Sequence, residues 1–74
     1  MEILTNIQNN QTLTIMEKYT IKATFSDGSE TIIHVECEKY DVLHIARGWM
    51  LTSSLIIETR IYDDDGKNLT TYSR

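Results

Sequence analysis

Tyr40-Asp41-Val42-Leu43-His44-Ile45-Ala46-Arg47-Gly48-Trp49-Met50-Leu51 is the one segment of the chain in which apolar residues recur with helical spacing. Val42, Ile45, Ala46 and Trp49 fall at i, i+3, i+4 and i+7, and Leu43 and Met50 widen the stripe. A lone amphipathic helix of this length is marginal in water and needs a surface to cover. Glu38 and Asp41 sit where carboxylates suit the unpaired amides of a helix start. Gly48 is the exception inside the pattern, costing about 1 kcal/mol against alanine. Because Trp49 and Met50 continue the stripe, a close approach of the backbone to a sheet at Gly48 is favoured over a helix end near Arg47.

Outward from the helix the chain reads as strand. On its N-terminal side Tyr19, Ile21, Ala23 and Phe25 alternate with Thr20, Lys22 and Thr24. Asp27-Gly28, flanked by Ser26 and Ser29, predicts a tight type I′ hairpin. The return strand, residues 30–38, puts Thr31, Ile33, Val35 and Cys37 on one face and Ile32, His34 and Glu36 on the other. Beyond the helix, Thr52, Ser53 and Ser54 form an exit loop. The third strand, residues 55–62, turns Leu55, Ile57, Thr59 and Ile61 one way and Ile56, Glu58, Arg60 and Tyr62 the other. Asp63-Asp64-Asp65-Gly66 turns the chain, Gly66 taking the left-handed position of a three- or four-residue loop, and residues 68–72 return as a fourth strand.

The expected fold is therefore α+β: a single ββαββ domain over residues 16–74, a four-stranded, mainly antiparallel sheet with one helix packed on one face. A right-handed crossover gives strand order 2-1-3-4, with 1-2-3-4 as the alternative. Residues 1–15 read as a flexible or strand-like N-terminal arm. Ile3, Leu4 and Ile7 suit a short helical turn, Leu13 and Ile15 a strand, and the Asn, Gln and Thr between them supply little apolar surface.

Composition narrows the function classes. A chain of 74 residues holds one domain and buries roughly 60% of the surface it exposes when unfolded, so a partner or second copy would help it. Seven basic against eleven acidic residues give a formal charge of -4 and a pI near 4.9, which disfavours direct nucleic-acid binding. The single cysteine makes no internal disulfide, and neither a membrane span nor a signal peptide is visible. A soluble protein of a reducing, cytoplasmic compartment is expected.

Catalytic chemistry fails on geometry. His34 and Cys37, three apart in a strand, point to opposite faces and form no nucleophile and base pair. Cys37 reads as a small core residue, and His44 lies off the helix stripe. Two histidines and one cysteine are too few for a four-ligand zinc site, and residues 63–66 lack the distal glutamate of a calcium loop. No phosphate loop or Ser/His/Asp set is present. No enzyme activity, cofactor or metal is expected.

A surface remains. With one face under the helix, the other carries Thr20, Lys22, Thr24, Ile32, His34, Glu36, Ile56, Glu58, Arg60, Tyr62, Thr70 and Tyr72. It reads either as a solvated face or, through Ile32, Ile56, Tyr62 and Tyr72, as a contact surface for a protein partner or a homodimer. The expected function is a protein-binding inhibitor or adaptor, of a kind often encoded by phages or mobile elements. One version presents Asp27, Glu30, Glu36, Glu38, Asp41 and Asp63 to Asp65 to a basic groove as a decoy for nucleic acid. The alternative is an oligomer that seats a nucleotide-sized ligand between subunits with Arg47, Arg60, Tyr62 and Trp49.

Overall fold

The computed structural model describes residues 15–74, so the expected N-terminal arm falls, Ile15 apart, outside the described residues. The elements are β1 (Glu17–Phe25), β2 (Glu30–Cys37), α1 (Lys39–Thr52), β3 (Ile56–Tyr62) and β4 (Asn68–Ser73). They form one antiparallel sheet in the order β2-β1-β3-β4, with α1 on one face and packed chiefly on β3. The ββαββ expectation holds, and of the two strand orders 2-1-3-4 is the one adopted.

Both hairpins use the same three-residue device. The Phe25 amide donates to the Ser29 carbonyl at 2.8 Å and the Gly28 amide to the Phe25 carbonyl at 2.9 Å. Asp63 repeats this with Lys67 and Gly66 at 2.9 and 3.0 Å. Gly28 and Gly66 take φ of 90° and 86°, and no other described residue takes positive φ. The type I′ expectation at Asp27-Gly28 is therefore corrected: Asp27 keeps negative φ, and Gly28 alone supplies the left-handed step of a three-residue loop. The aspartates hold these loops. Asp27 Oδ1 accepts from the Ser29 amide and hydroxyl, which lowers the Asp27 pKa, and Asp63 Oδ1 accepts from the Asp65 and Lys67 amides.

Helix α1 buries Val42, Ala46 and Met50, at i, i+4 and i+8, with Leu43 and Trp49 half-buried beside them. The apolar stripe is narrower than its sequence suggests, and Ile45 lies on its border at 37% exposure. Against it Tyr19, Ile21, Ala23, Cys37, Ile56, Thr59 and Ile61 complete the core. Each fully buried isoleucine contributes on the order of 1.5–3 kcal/mol.

Gly48 does not approach the sheet. A Cβ built there meets no atom within 4 Å, and the helix runs on to Thr52, so the close-approach expectation is overturned. Gly48→Ala is accordingly expected to raise the unfolding free energy by about 1 kcal/mol, read as a higher urea midpoint with an unchanged slope.

The third and fourth strands depart from strict alternation. Thr24 faces Glu58, but Phe25 faces Ile56, so Ile57 is an extra residue in β3. Ile56 is thereby turned into the core at 0% exposure, while Leu55 and Ile57 stand at 61% and 43%. In β4, Thr70 pairs with Ile61 and Asn68 with Tyr62, leaving Leu69 as the extra residue. Tyr72 pairs with Thr59 on the covered side.

Thr59 is buried between Ala23 and Tyr72, and its hydroxyl has no hydrogen-bond partner among the described residues. Thr59→Val keeps the shape and removes the unpaired group, and is expected to stabilise the fold by about 1 kcal/mol in the same titration.

Candidate functional site

The face opposite α1 can be assembled row by row from the register. Glu30, Thr24, Glu58 and Ser73 form one row across the four strands, and Ile32, Lys22, Arg60 and Thr71 the next. His34, Thr20, Tyr62 and Asn68 form a third, and Glu36 with Lys18 a fourth on the β1–β2 side. Three residues expected here are absent. Ile56 is turned inward by the extra residue in β3, and Tyr72, together with Thr70, takes the covered side because its cross-strand neighbour Thr59 does. Tyr72 instead packs on the core beneath the Arg47 guanidinium, whose carbon lies 5.8 Å from the ring centre.

Without them, Ile32, at 54% exposure, is the one large apolar residue in these rows, and the rest is polar and in part internally paired. Glu58 accepts a short hydrogen bond from Arg60, Lys22 lies 3.7 Å from Glu30, and Thr20 Oγ1 meets His34 Nδ1 at 3.1 Å. Tyr62 and then Glu58 raise the Arg60 pKa, holding the guanidinium charged. Paired charges and threonines of this kind suit a solvated sheet face.

What the topology gathers is negative charge. The start of β1, the end of β2, the start of α1 and the β3–β4 loop all lie at the same end of the sheet. Glu17, Glu36, Glu38, Asp41, Asp63, Asp64 and Asp65 therefore meet there, seven of the chain's eleven acidic residues, against Lys18, Lys39 and Lys67. Their field is felt inside the core. Burial first, then Glu17, with a contribution from Asp63, raises the Tyr19 pKa. Burial, then Asp41 and Glu38, raises that of Cys37. The Cys37 thiol is thus buried and kept protonated, the opposite of what a nucleophile requires. A shallow groove of about 370 Å³ opens at this end, lined by Lys18, Tyr19, Thr20, His34, Val35, Glu36 and Asp64. Asp27 and Glu30 lie at the opposite end, with the β1–β2 turn.

The remaining candidates separate. His34 is exposed on the open face while Cys37 is buried beneath α1. His44 stands on the exposed side of α1, its ring edge to face with Tyr40 at 4.9 Å. No three His, Cys, Asp or Glu residues among those described are placed to hold a metal ion. The set Arg47, Arg60, Tyr62 and Trp49 is not brought together within the chain: Arg47 lies over Tyr72, Trp49 packs on the core, and Arg60 and Tyr62 occupy the other face. No helix among the described residues is long and apolar enough to cross a membrane.

One residue that sequence reasoning passed over organises a second cleft, of about 340 Å³, between α1 and β4. Arg74 donates from Nε to the Ile56 carbonyl at 2.6 Å and from one terminal nitrogen to the carbonyls of Met50 and, at 2.8 Å, Ser53. No local spacing links Arg74 to Met50, so no sequence signal pointed to it. Comparison with protein-family models, curated proteins and solved structures finds no match to the chain.

Proposed function

We propose that this chain is a non-catalytic protein-binding module, an inhibitor or adaptor, that presents the acidic end of its sheet to a basic surface on a larger protein. The observation that carries this reading is the convergence of Glu17, Glu36, Glu38, Asp41 and Asp63 to Asp65, drawn from three separate stretches of sequence to one end. Charges that merely kept the chain soluble would need no such gathering. A cluster of carboxylates on a rigid scaffold competes with nucleic-acid phosphates for a basic groove, so the module acts as a decoy that blocks a nucleic-acid-handling protein. A cytoplasmic setting and a phage or other mobile element as its source belong to the same reading.

The test is capture of a stoichiometric partner from source cells on the immobilised chain, repeated with E36Q/D63N/D64N/D65N. Capture is expected to weaken at least tenfold on raising salt from about 50 to 500 mM, to be displaced by duplex DNA, and to fail with the neutralised variant. Salt-insensitive capture that survives neutralisation would overturn the proposal.

A further inference from the structure

The two edges of the sheet are not equivalent. β4 is short and bulged at Leu69, and the Asn68 side-chain amide donates to the carbonyls of Ile61 and Thr70, tying that strand to its neighbour. β2 is longer, and its pairing with β1 runs from Glu17 opposite Cys37 to Thr24 opposite Glu30 without a shift. An uninterrupted edge of this kind is a template for another strand.

The outward-facing backbone of β2 can be identified. The Phe25 amide bonds the Ser29 carbonyl, so antiparallel alternation places the bonded β1–β2 pairs at Thr31, Ile33, Val35 and Cys37. The amides and carbonyls of Glu30, Ile32, His34 and Glu36 therefore point away from the sheet, while their side chains share the open face. A second β2 meeting this edge about a two-fold axis must match outward residue with outward residue. Centring on Ile33 sets Glu30 against the second copy's Glu36, twice. Centring on His34 sets imidazole on imidazole and leaves Ile32 opposite a carboxylate. Centring on Ile32 sets Ile32 against its own copy and Glu30 against His34 on both sides. Of these three registers, that one alone covers the exposed isoleucine with apolar surface, and it gives each Glu30 carboxylate an imidazole partner.

We infer that β2 is a self-association edge: two copies pair antiparallel about Ile32, joining their sheets into one eight-stranded sheet with both helices on the same side. The covered face gains as well. Because α1 packs chiefly on β3, Ile33 and Val35 on β2 are only half-buried in one chain, and Thr31 of the second copy comes to lie across from Ile33. The inference rests on the edge geometry and does not depend on the acidic end having a partner.

Sedimentation equilibrium of the full chain tests it. Around His34 stand Thr20 and Lys18 from β1, Glu36 on its own strand and Asp64 from the β3–β4 loop; Glu30 has Lys22 at 3.7 Å. The wild type is expected to dimerise in the micromolar to millimolar range. E30K and H34E are each expected to weaken the dimer roughly tenfold or more, and E30K/H34E, which restores opposite charges across the seam, to recover most of that loss. Circular dichroism and urea midpoints of the monomers report folding separately. A chain that stays monomeric to about 1 mM overturns the inference, as does a dimer indifferent to either single change or a double variant no better than the singles.

Discussion

Ile56→Ala is expected to remove about 3–4 kcal/mol from the unfolding free energy, whereas Ile57→Ala, one residue along, is expected to cost under about 1 kcal/mol. The two side chains are chemically identical, so the difference isolates their placement. Ile56 is at 0% exposure and packs with Ala23 and Met50, with Phe25, Trp49 and Tyr72 around them. Removing three carbons there forfeits transfer energy and leaves a cavity that a sheet and helix close around incompletely. Ile57 is 43% exposed and surrenders little burial. For a chain of 74 residues, whose whole stability is of the order of 4–11 kcal/mol, the first change consumes a large share. Urea unfolding of both variants, side by side, is the measurement. An inverted ranking would mean that β3 pairs with β1 without its extra residue, because moving the register by one exchanges the two faces.

That pair of residues also marks where reading the sequence succeeded and where it stopped. Period-two alternation through Tyr19, Ile21 and Ala23 and through Ile33, Val35 and Cys37 survives in the structure, because β1 and β2 pair without a shift and one hydrophobic face suffices to set their facing. The helix was legible for the same reason, its period being unlike anything around it, and Gly66 was legible because a left-handed turn position favours glycine. Alternation could not place Ile56 and Tyr72. Each lies beyond an inserted residue, Ile57 or Leu69, and nothing in a run of isoleucines or threonines says which member will be skipped. The contact surface imagined from Ile32, Ile56, Tyr62 and Tyr72 thus loses two of its members to the core. The acidic residues were visible one by one, but their meeting at one end follows from the path of the chain in space, α1 carrying it back across the sheet so that β3 runs to the end where β2 finishes, and no local spacing marks that. Gly48 was misjudged because a glycine that packs closely and one that faces open space leave the same mark in a sequence.

Arg74→Ala is expected to cost about 2–3 kcal/mol, more than most exposed arginines are worth, and Arg74→Lys to restore no more than half of it. The reason begins at the end of α1. Its last turn holds no basic residue, and it closes on Ser53 in an extended conformation, without the left-handed glycine that commonly satisfies the final carbonyls. Thr52 Oγ1 donates to the Trp49 carbonyl at 3.0 Å, which provides one partner. Arg74, brought across by β4 and anchored through its own amide to the Ile57 carbonyl at 3.0 Å, supplies another at Met50 and bonds the carbonyls of Ser53 and Ile56 just past the helix. A positive charge at the negative end of the helix adds to these bonds. Three carbonyls on one planar group require donors fixed at set angles, which a guanidinium has and an ammonium lacks. The same group ties the helix end to the start of β3, where Ile57 turns Ile56 inward, so its loss is expected to loosen both together. Amide hydrogen exchange separates this from a general loss of stability: under native conditions the variant is expected to gain exchange over residues 50–57 well before β1 and β2. Uniform acceleration across the sheet, or a cost below about 1 kcal/mol, would show that solvent satisfies these carbonyls as well as Arg74 does.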